Sequence, residues 1–551
     1  MRCPVCKTRL RYLTTDIRPV FARERRILQF YGYGPLTTDA VWRSSKGRSY
    51  YINGQAVALP KAERLKHDLP AIANYINDSD HYDALDEQLI ADYRHQLTLN
   101  QGHLKALENE AIEFIKAVDR RFRGRMRLVS FSGGKDSTVV SDLVVRTLGP
   151  DVTHIFNDTT LEDENTYEYV RQFRQLNPLI PFWEARAEHN FFDLVDQIGP
   201  PSRVMRWCCT IFKAGPINNL LQSFGDRKVL TFYGIRADES LRRSHYDRIT
   251  ISGVSDKAIT VDKENELYAI PSATAKMGQQ VTAAPILHWT EFDVWLYILA
   301  YGLPFNKSYR LGFSRVGCWL CPLNSEWSDM LATIFFPEDA ARWRAQLVNF
   351  ARKIGKPDPE EYVDSRGWVK RFGGAGLPNH FAGIEVRPCG EMDDTIEITL
   401  ERPVNVELEE FLKPLGKINR DRSRPELGEI YLEARPSQQE LWTGLIVQAL
   451  EGDTHLRVTV LNPKDRERAF TYVRYQAVKF QTCIQCTACS AVCPHGAITI
   501  KPDMRIYEID QDVCTGCMEC VTHFGSTGCL VAKSLSVYGK SKEVVPLVVE
   551  M

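Results

Sequence analysis

Apolar and polar positions change period along this chain, and the changes mark out its elements. Between residues 126 and 326 the short apolar runs RLVSFS, VTHIFND and FWEARA read as strands, and STVVSDLVVRTL and NTYEYVRQFRQL carry apolar residues at helical spacing. Strands and helices in alternation predict a parallel sheet with helices on both faces. Upstream, residues 71–125 (AIANYINDSDHYDALDEQLIADYRHQL, then LKALENEAIEFIKAVDRRF) predict a charged helical region, and residues 1–70 hold mixed short segments. Residues 327–384 read as a helical extension. TIEITL, EIYLEA and HLRVTVL alternate with period two, and QQELWTGLIVQAL between them reads as helical. Together they predict a small α+β domain over 385–475, followed by a cysteine-rich domain over 476–551.

Composition narrows the possibilities. A chain of 551 residues should divide into roughly three or four domains of ~100–200 residues each. With 44% hydrophobic and 25% charged residues it is an ordinary globular sequence. The net charge of −1 leaves no global basic excess, so contact with a nucleic acid would rest on a local patch. RRFRGRMR at 120–127 is one such patch, and reads equally as a solvated helix end. No apolar run approaches the ~18–20 residues that span a bilayer, and MRCPVCKTRL has no apolar signal core. A cytoplasmic protein with no membrane partner is expected. Eight of the 15 cysteines crowd into 483–529 and others form C-x2-C pairs. That is metal-ligand spacing in a reducing compartment rather than a secreted disulfide framework.

The stretch VSFSGGKDSTVV (129–140) places a glycine pair between a strand and a helix. Gly133 and Gly134 permit positive φ and close backbone approach. The helix beginning at about Ser137 offers free N–H groups and the positive end of its dipole to an anion, and Lys135 adds a cation. The chemistry is that of a pyrophosphate or sulfate cradle. The G-x4-G-K-[ST] spacing of a Walker A loop is absent.

The SGGKDS string resembles the PP-loop of adenine-nucleotide α-hydrolases, which split the α–β bond of ATP or bind a related adenylyl sulfate. Four further blocks resemble 3′-phosphoadenylyl-sulfate (PAPS) reductases: FNDTTLEDENTYEYV (156–170), RWCCTIFKAGP (206–216), GIRADESLRR (234–243) and PILHWTEFDVWLYILAYGLPFNKSYRLGFSRVGCWLCP (285–322). The resemblance implies an α/β fold with a doubly wound parallel sheet of the PP-loop adenine-nucleotide α-hydrolase type. Around it the sequence places an N-terminal Cys-knuckle region, the small α+β domain and the C-terminal cysteine-rich domain. It further implies ATP held by Ser132, Gly133, Gly134, Lys135, Asp136, Ser137, Asp158, Lys213, Gly234, Arg236, Glu239, Ser240 and Arg243, with Lys135, Asp136, Asp158 and Arg236 in catalytic roles. Asp158, at a strand's carboxyl end, would hold Mg²⁺ or the adenosine. Lys213, Arg236, Arg242 and Arg243 would meet phosphate or sulfate oxygens. Trp289 and Trp295 read as core.

CIQCTACSAVCP (483–494) is C-x2-C-x2-C-x3-C-P, and CTGCMEC (514–520) repeats the first three spacings. These resemble bacterial two-cluster ferredoxins, in which the fourth cysteine of each run ligates the other cluster. The resemblance assigns Cys483, Cys486, Cys489 and Cys529 to one 4Fe–4S cluster and Cys514, Cys517, Cys520 and Cys493 to the second. The last gap here is eight residues and no proline follows Cys529. For the remaining pairs two arrangements stand. Cys3, Cys6, Cys318 and Cys321 make a four-thiolate zinc site from two C-x2-C knuckles. Alternatively Cys208, Cys209, Cys318 and Cys321 hold a further 4Fe–4S cluster, as the resemblance to adenylyl-sulfate (APS) reductases implies. Cys389 reads as a buried thiol.

Three functions compete. PAPS or APS reduction to sulfite would need a mobile nucleophilic cysteine, which in the reductases sits in a C-terminal Glu-Cys-Gly-Leu-His tail; KEVVPLVVEM has none. An ATP pyrophosphatase would adenylate an oxygen so that sulfur can displace AMP. That reading resembles the ATP pyrophosphatases of bacterial DNA phosphorothioation, and implies a cysteine desulfurase, DNA (or tRNA) as acceptor, and other DNA-modification proteins as partners. The third function is an iron–sulfur carrier whose nucleotide site only regulates docking. The intact SGGKDS favours the second.

Overall fold

The computed structural model describes residues 14–34, 36, 39–46, 49–77, 81–225, 227–241, 243–251, 280–374, 377, 383–390, 392–538, 544–545 and 548–550. The CPVC knuckle with Cys3 and Cys6, and Arg242, lie outside them. The chain divides into two compact units: 1–185, 226–251 and 279–343 form the first, and 186–225, 252–278 and 344–551 the second.

The first unit opens with an antiparallel sheet in chain order: β1 (Ile17–Pro19), β2 (Val41–Ser44), β3 (Ser49–Ile52) and β4 (Gln55–Ala58). Asn53 and Gly54 join β3 to β4 with φ of +48° and +78°, the conformation a tight hairpin selects Asn-Gly for. Three helices follow, Ala62–Asn77, Tyr82–Gln96 and Gln101–Arg121; the first begins nine residues before the charged helical region expected from residue 71.

The larger sheet contains β5 (Met126–Ser130), β6 (Thr153–Asp158), β7 (Phe182–Arg186), β8 (Val229–Tyr233), β9 (Ile249–Ile251) and β10 (Val281–Ala283) in the spatial order β7-β6-β5-β8-β10-β9. β5 runs parallel to both β6 and β8, β10 is parallel to β8, and β9 is the antiparallel edge. The chain leaves β5 toward β6 on one side and comes back as β8 on the other. The carboxyl end of β5 is therefore the switch point at which open α/β sheets bind ligands. Trp289 and Trp295 are buried, as expected of core residues. Helix Glu291–Tyr301 begins at a Thr290–Asp293 capping box and stops at Gly302, which is left-handed.

The second unit contains β11 (Ile384–Cys389), β12 (Met392–Leu400), β13 (Lys417–Ile418), β14 (Glu429–Glu433), β15 (Gly444–Gln448), β16 (His455–Leu461), β17 (Ile498–Lys501) and β18 (Ile506–Ile509). The first six form one sheet in the order β13-β14-β15-β16-β12-β11, with Val548–Glu550 added beside β11. QQELWTGLIVQAL, expected to be helical, instead supplies β15, paired antiparallel to β14 and β16. Leu445 and Val447 are buried on one face, so two-sided pairing of a β-branched run overrides the helical spacing. Helix Arg466–Thr482 packs on β11 and β12. It runs across residue 475, where the α+β and ferredoxin domains were expected to divide. No helix among the described residues is long and apolar enough to cross a membrane.

Candidate nucleotide site and iron–sulfur centre

Four residues, Phe131 to Gly134, connect β5 to helix Lys135–Leu148. Gly133 takes φ +71°, and a Cβ there would lie 3.2 Å from the Thr166 methyl. Two of the turn's amides are satisfied internally: Ser132 N–H donates to Ser137 Oγ at 3.2 Å and Lys135 N–H to the Tyr309 hydroxyl at 3.0 Å. Among the described residues the amides of Gly133 and Gly134 make no hydrogen bond. Two unpaired N–H groups thus lie at the N-terminus of a 14-residue helix, which is an anion-binding arrangement.

Behind the turn lies a buried charge network. Arg236 Nε donates to Asp136 Oδ1 at 2.5 Å and its Nη2 to Glu291 Oε2 at 2.5 Å. Lys135 Nζ stands 3.2 Å from Asp136 Oδ2 and 3.4 Å from Glu291 Oε2, and Trp295 Nε1 donates to Glu291 Oε1 at 3.1 Å. Burial opposes the Asp136 carboxylate, but Lys135 and Arg236 outweigh it and bring it down to about 2. Burial likewise opposes the Lys135 cation, and Asp136 and Glu291 hold it above the ordinary lysine range. Three expected catalytic residues, Lys135, Asp136 and Arg236, therefore meet, and they neutralise one another together with Glu291. Their placement shapes the turn.

Gly234 follows β8 and closes against the same helix end; a Cβ there would sit 2.7 Å from the Asp136 carbonyl carbon and 2.8 Å from Ser137 N. Glu239 accepts from Arg236 N–H at 3.2 Å and also pairs with Arg243, while Ser240 Oγ accepts from Arg243 N–H at 3.2 Å. Burial, then repulsion from Arg315, lowers Arg243 from the usual arginine range. Asp158 ends β6 and its Oδ1 accepts from Thr160 N–H at 2.8 Å and Tyr167 OH at 2.9 Å.

Within 285–322 the sequence singles out Trp289, Trp295, Cys318 and Cys321 but no residue of the anion turn's surroundings, and the structure supplies these. Asn306 Nδ2 donates to Thr166 Oγ1 at 2.8 Å and reaches the Gly133 carbonyl at 3.5 Å. Tyr309 caps Lys135, the Ser314 carbonyl lies 3.4 Å from Lys135 Nζ, and Val316 lies against Gly134. Arg315, between those last two, is exposed. The signal for these residues was proximity in the fold, with no spacing to reveal it. Cys318 and Cys321 form a turn, Cys321 N–H to Cys318 O at 3.2 Å, and Trp319 N–H donates to Leu161 O at 3.0 Å in the loop after β6. Among the described residues no three His, Cys, Asp or Glu side chains are placed to hold a single metal ion.

In the second unit, Cys208 and Cys209 lie on a short helical turn, Trp207–Cys209, that passes into a π-turn, Thr210–Ala214, bearing the exposed Lys213. Helix Gly215–Ser223 follows and meets the first ferredoxin loop: Asn218 Nδ2 donates to Ala491 O, and Gln222 Nε2 to Cys493 O at 3.3 Å. Cys389 is buried, with Glu397 Oε1 3.5 Å from its sulfur.

The eight ferredoxin-type thiols fall into two groups. Cys483 and Cys486 each feel Cys489 and Cys529, Cys493 feels Cys517 and Cys514, and Cys520 feels Cys489 as well as Cys493 and Cys514. Cys529 lies beside Cys483 and Cys486, the neighbourhood that crossed ligation expects of it. Cys493, Cys514, Cys517 and Cys520 line one cavity, closed by Pro414 and Ile509. Burial pushes the Cys483 and Cys520 thiols up to about 12, so their deprotonation calls for a bound cation. The donor set and the cavity fit iron–sulfur clusters.

Comparison with known proteins agrees with this division. Residues 127–324 match the phosphoadenosine phosphosulfate reductase domain and residues 482–523 the 4Fe-4S dicluster domain. The chain thus carries a PAPS reductase domain of the PP-loop superfamily and, C-terminal to it, a 4Fe–4S dicluster ferredoxin domain. It is 32% identical over 272 residues to an uncharacterized protein of Methanocaldococcus jannaschii, covering 49% of this chain and 50% of that one. The sulfate adenylyltransferase subunit 2 of Xanthomonas campestris is 26% identical over 232 residues, covering 40% and 72%. The adenosine 5′-phosphosulfate reductase 2 of Bacillus subtilis is 24% identical over 232 residues, covering 41% and 86%. A second M. jannaschii protein is 28% identical over 268 residues, so the chain spans 50% and 57% of the length of these two relatives.

Proposed function

We propose that this chain is a cytoplasmic ATP pyrophosphatase that adenylates an oxygen acceptor for sulfur insertion, the acceptor being the DNA backbone and the sulfur coming from a cysteine desulfurase. The observation that carries the reading is the pair of unpaired Gly133 and Gly134 amides at the sheet's switch point. An acceptor oxygen attacks the α-phosphorus of ATP, the α–β P–O bond breaks, and pyrophosphate leaves toward those amides and the helix end. Donors placed where charge develops lower that barrier. A sulfur nucleophile then attacks the activated phosphorus and the P–O bond to AMP breaks. Mg²⁺ at Asp158 would share the triphosphate charge. Lys135, Asp136 and Arg236 act as positioning residues, and the exposed Arg315 supplies a cation beside the turn. Where the nucleophile is the desulfurase's persulfide, the new P–S bond still carries an S–S bond, and two electrons, one from each cluster when bound, would cleave it to leave the phosphorothioate and a thiolate. DNA is favoured as acceptor by Arg120, Arg121 and Arg123, all exposed at the end of helix Gln101–Arg121, and other DNA-modification proteins would select the site.

A second reading, reduction of an adenylyl sulfate to sulfite, is supported by the Bacillus relative's name and by the adjacent Cys208 and Cys209. The two separate in one assay. Full-length protein prepared without oxygen is given ATP, Mg²⁺, a cysteine desulfurase, ³⁵S-cysteine and either DNA or tRNA, and in a parallel arm an adenylyl sulfate with an electron donor. Nuclease-resistant labelled phosphorothioate dinucleotides from DNA are expected. Label in tRNA alone would replace the acceptor, and sulfite from adenylyl sulfate without ATP cleavage would replace the reaction.

A further inference from the structure

Helix Arg466–Thr482 carries a lysine to the centre of the ferredoxin module. Lys479 is 3% exposed. Its Nζ lies 3.4 Å from the Cys520 carbonyl and 5.7 Å from the centroid of the Tyr507 ring. The Tyr507 hydroxyl is 3.8 Å from the Cys489 sulfur, and its ring stacks on Phe411 at 4.4 Å. Cys489 belongs to the first thiol set and Cys520 to the second, so one ammonium stands between the two. Among the described residues no carboxylate lies within ion-pairing distance of it; the charges that bear on it are those of Cys489, Tyr507 and Cys520.

A lone ammonium in a protein interior is costly unless a negative charge compensates it. Four thiolates around a cubane leave a net negative charge, and each reduction adds another. An adjacent buried cation stabilises the more negative, reduced form, and charge near a cluster is one of the factors that sets its potential. We propose that Lys479 is the shared internal counter-charge of both iron–sulfur clusters and raises the reduction potential of each. This goes beyond the proposed function and holds whatever the sulfur acceptor is.

The test is an anaerobic redox titration of the full-length protein, followed by electron paramagnetic resonance, for wild type, Lys479→Gln, Lys479→Met and Lys479→Arg, with iron counted in each. With clusters assembled, the neutral variants are expected to show, for both clusters, a reduced-to-oxidised ratio at fixed poise at least tenfold lower than wild type, about 59 mV for one electron. Lys479→Arg should stay near wild type. Unchanged potentials in Lys479→Gln and Lys479→Met with full iron would overturn the proposal, as would a shift confined to one cluster. If the neutral variants fail to assemble clusters, retention of iron and potential by Lys479→Arg supports the charge. Equal loss of iron in all three variants would make Lys479 a packing residue and overturn it.

Discussion

Gly234 shows how much of the site depends on single atoms. Its α-carbon faces the backbone of Asp136 and Ser137, and a methyl group would lie 2.7 Å from the nearest atom there. Gly234→Ala must therefore shift the anion turn, at a cost of about 1–3 kcal/mol. Thermal unfolding and nucleotide titration should both register it, and wild-type affinity for ATP would contradict the role assigned to that contact. Ser132 is the opposite case. It is exposed, so Ser132→Ala should leave folding intact and weaken nucleotide binding alone. Arg236 needs more care: Arg236→Ala leaves Lys135 alone to balance both the Asp136 and Glu291 carboxylates, and breaking a buried pair costs about 3–5 kcal/mol. Lost activity in that variant would report folding as much as chemistry. His154, fully buried on β6, donates from Nδ1 to Val152 O at 2.9 Å and accepts at Nε2 from Ser141 Oγ at 2.8 Å. Burial lowers it to about 4. A base whose folded pKa lies below its unfolded value of about 6.5 takes up fewer protons when folded, so stability falls as pH drops from about 6.5 toward 4, by about 3 kcal/mol. Protection factors of the β6 amides, corrected for the intrinsic pH dependence of exchange, should fall over that window, and His154→Gln should remove the dependence.

At the scale of elements, the segment from Asn306 to Val316 holds the anion turn in shape. It is anchored in turn: Arg18, paired with the buried Glu24 through two bonds of 2.7 Å, donates to the Gly312 carbonyl at 2.7 Å. Tyr309→Phe removes the partner of the Lys135 amide at a net cost of about 1 kcal/mol, and ATP affinity should fall with little change in global unfolding. Unaltered affinity would detach this segment from the site. Much of the turn was legible in sequence, because SGGKDS states its own conformation: glycines where backbone approach is close, then a helix start. The strands flanking it were legible for the same reason, since period and turn residues agree there. Tyr309, Asn306 and Glu291 were not, because residues more than 150 positions from Lys135 meet it only through the sheet order. QQELWTGLIVQAL misled because its spacing suits a helix, while the strands on either side of it decide the outcome.

At the scale of the molecule, the nucleotide site and the cluster sites belong to different compact units, and adenylation itself consumes no electrons. Cys517→Ser in the full-length chain should therefore leave pyrophosphate release intact while stopping sulfur incorporation. Iron should fall from about eight per chain, the content of two cubanes, to about half; complete loss would mean that the clusters assemble cooperatively. Side-chain variants serve this purpose better than truncation, because a cut near residue 475 severs helix Arg466–Thr482, which covers β11 and β12. The most direct measurement is the fate of ATP itself. Anaerobically purified protein with Mg²⁺, acceptor and ATP labelled at the α- or the γ-phosphate should yield equal amounts of AMP and pyrophosphate, lost on chelation of Mg²⁺ and much reduced in Ser132→Ala. ADP and orthophosphate as the products would contradict the account.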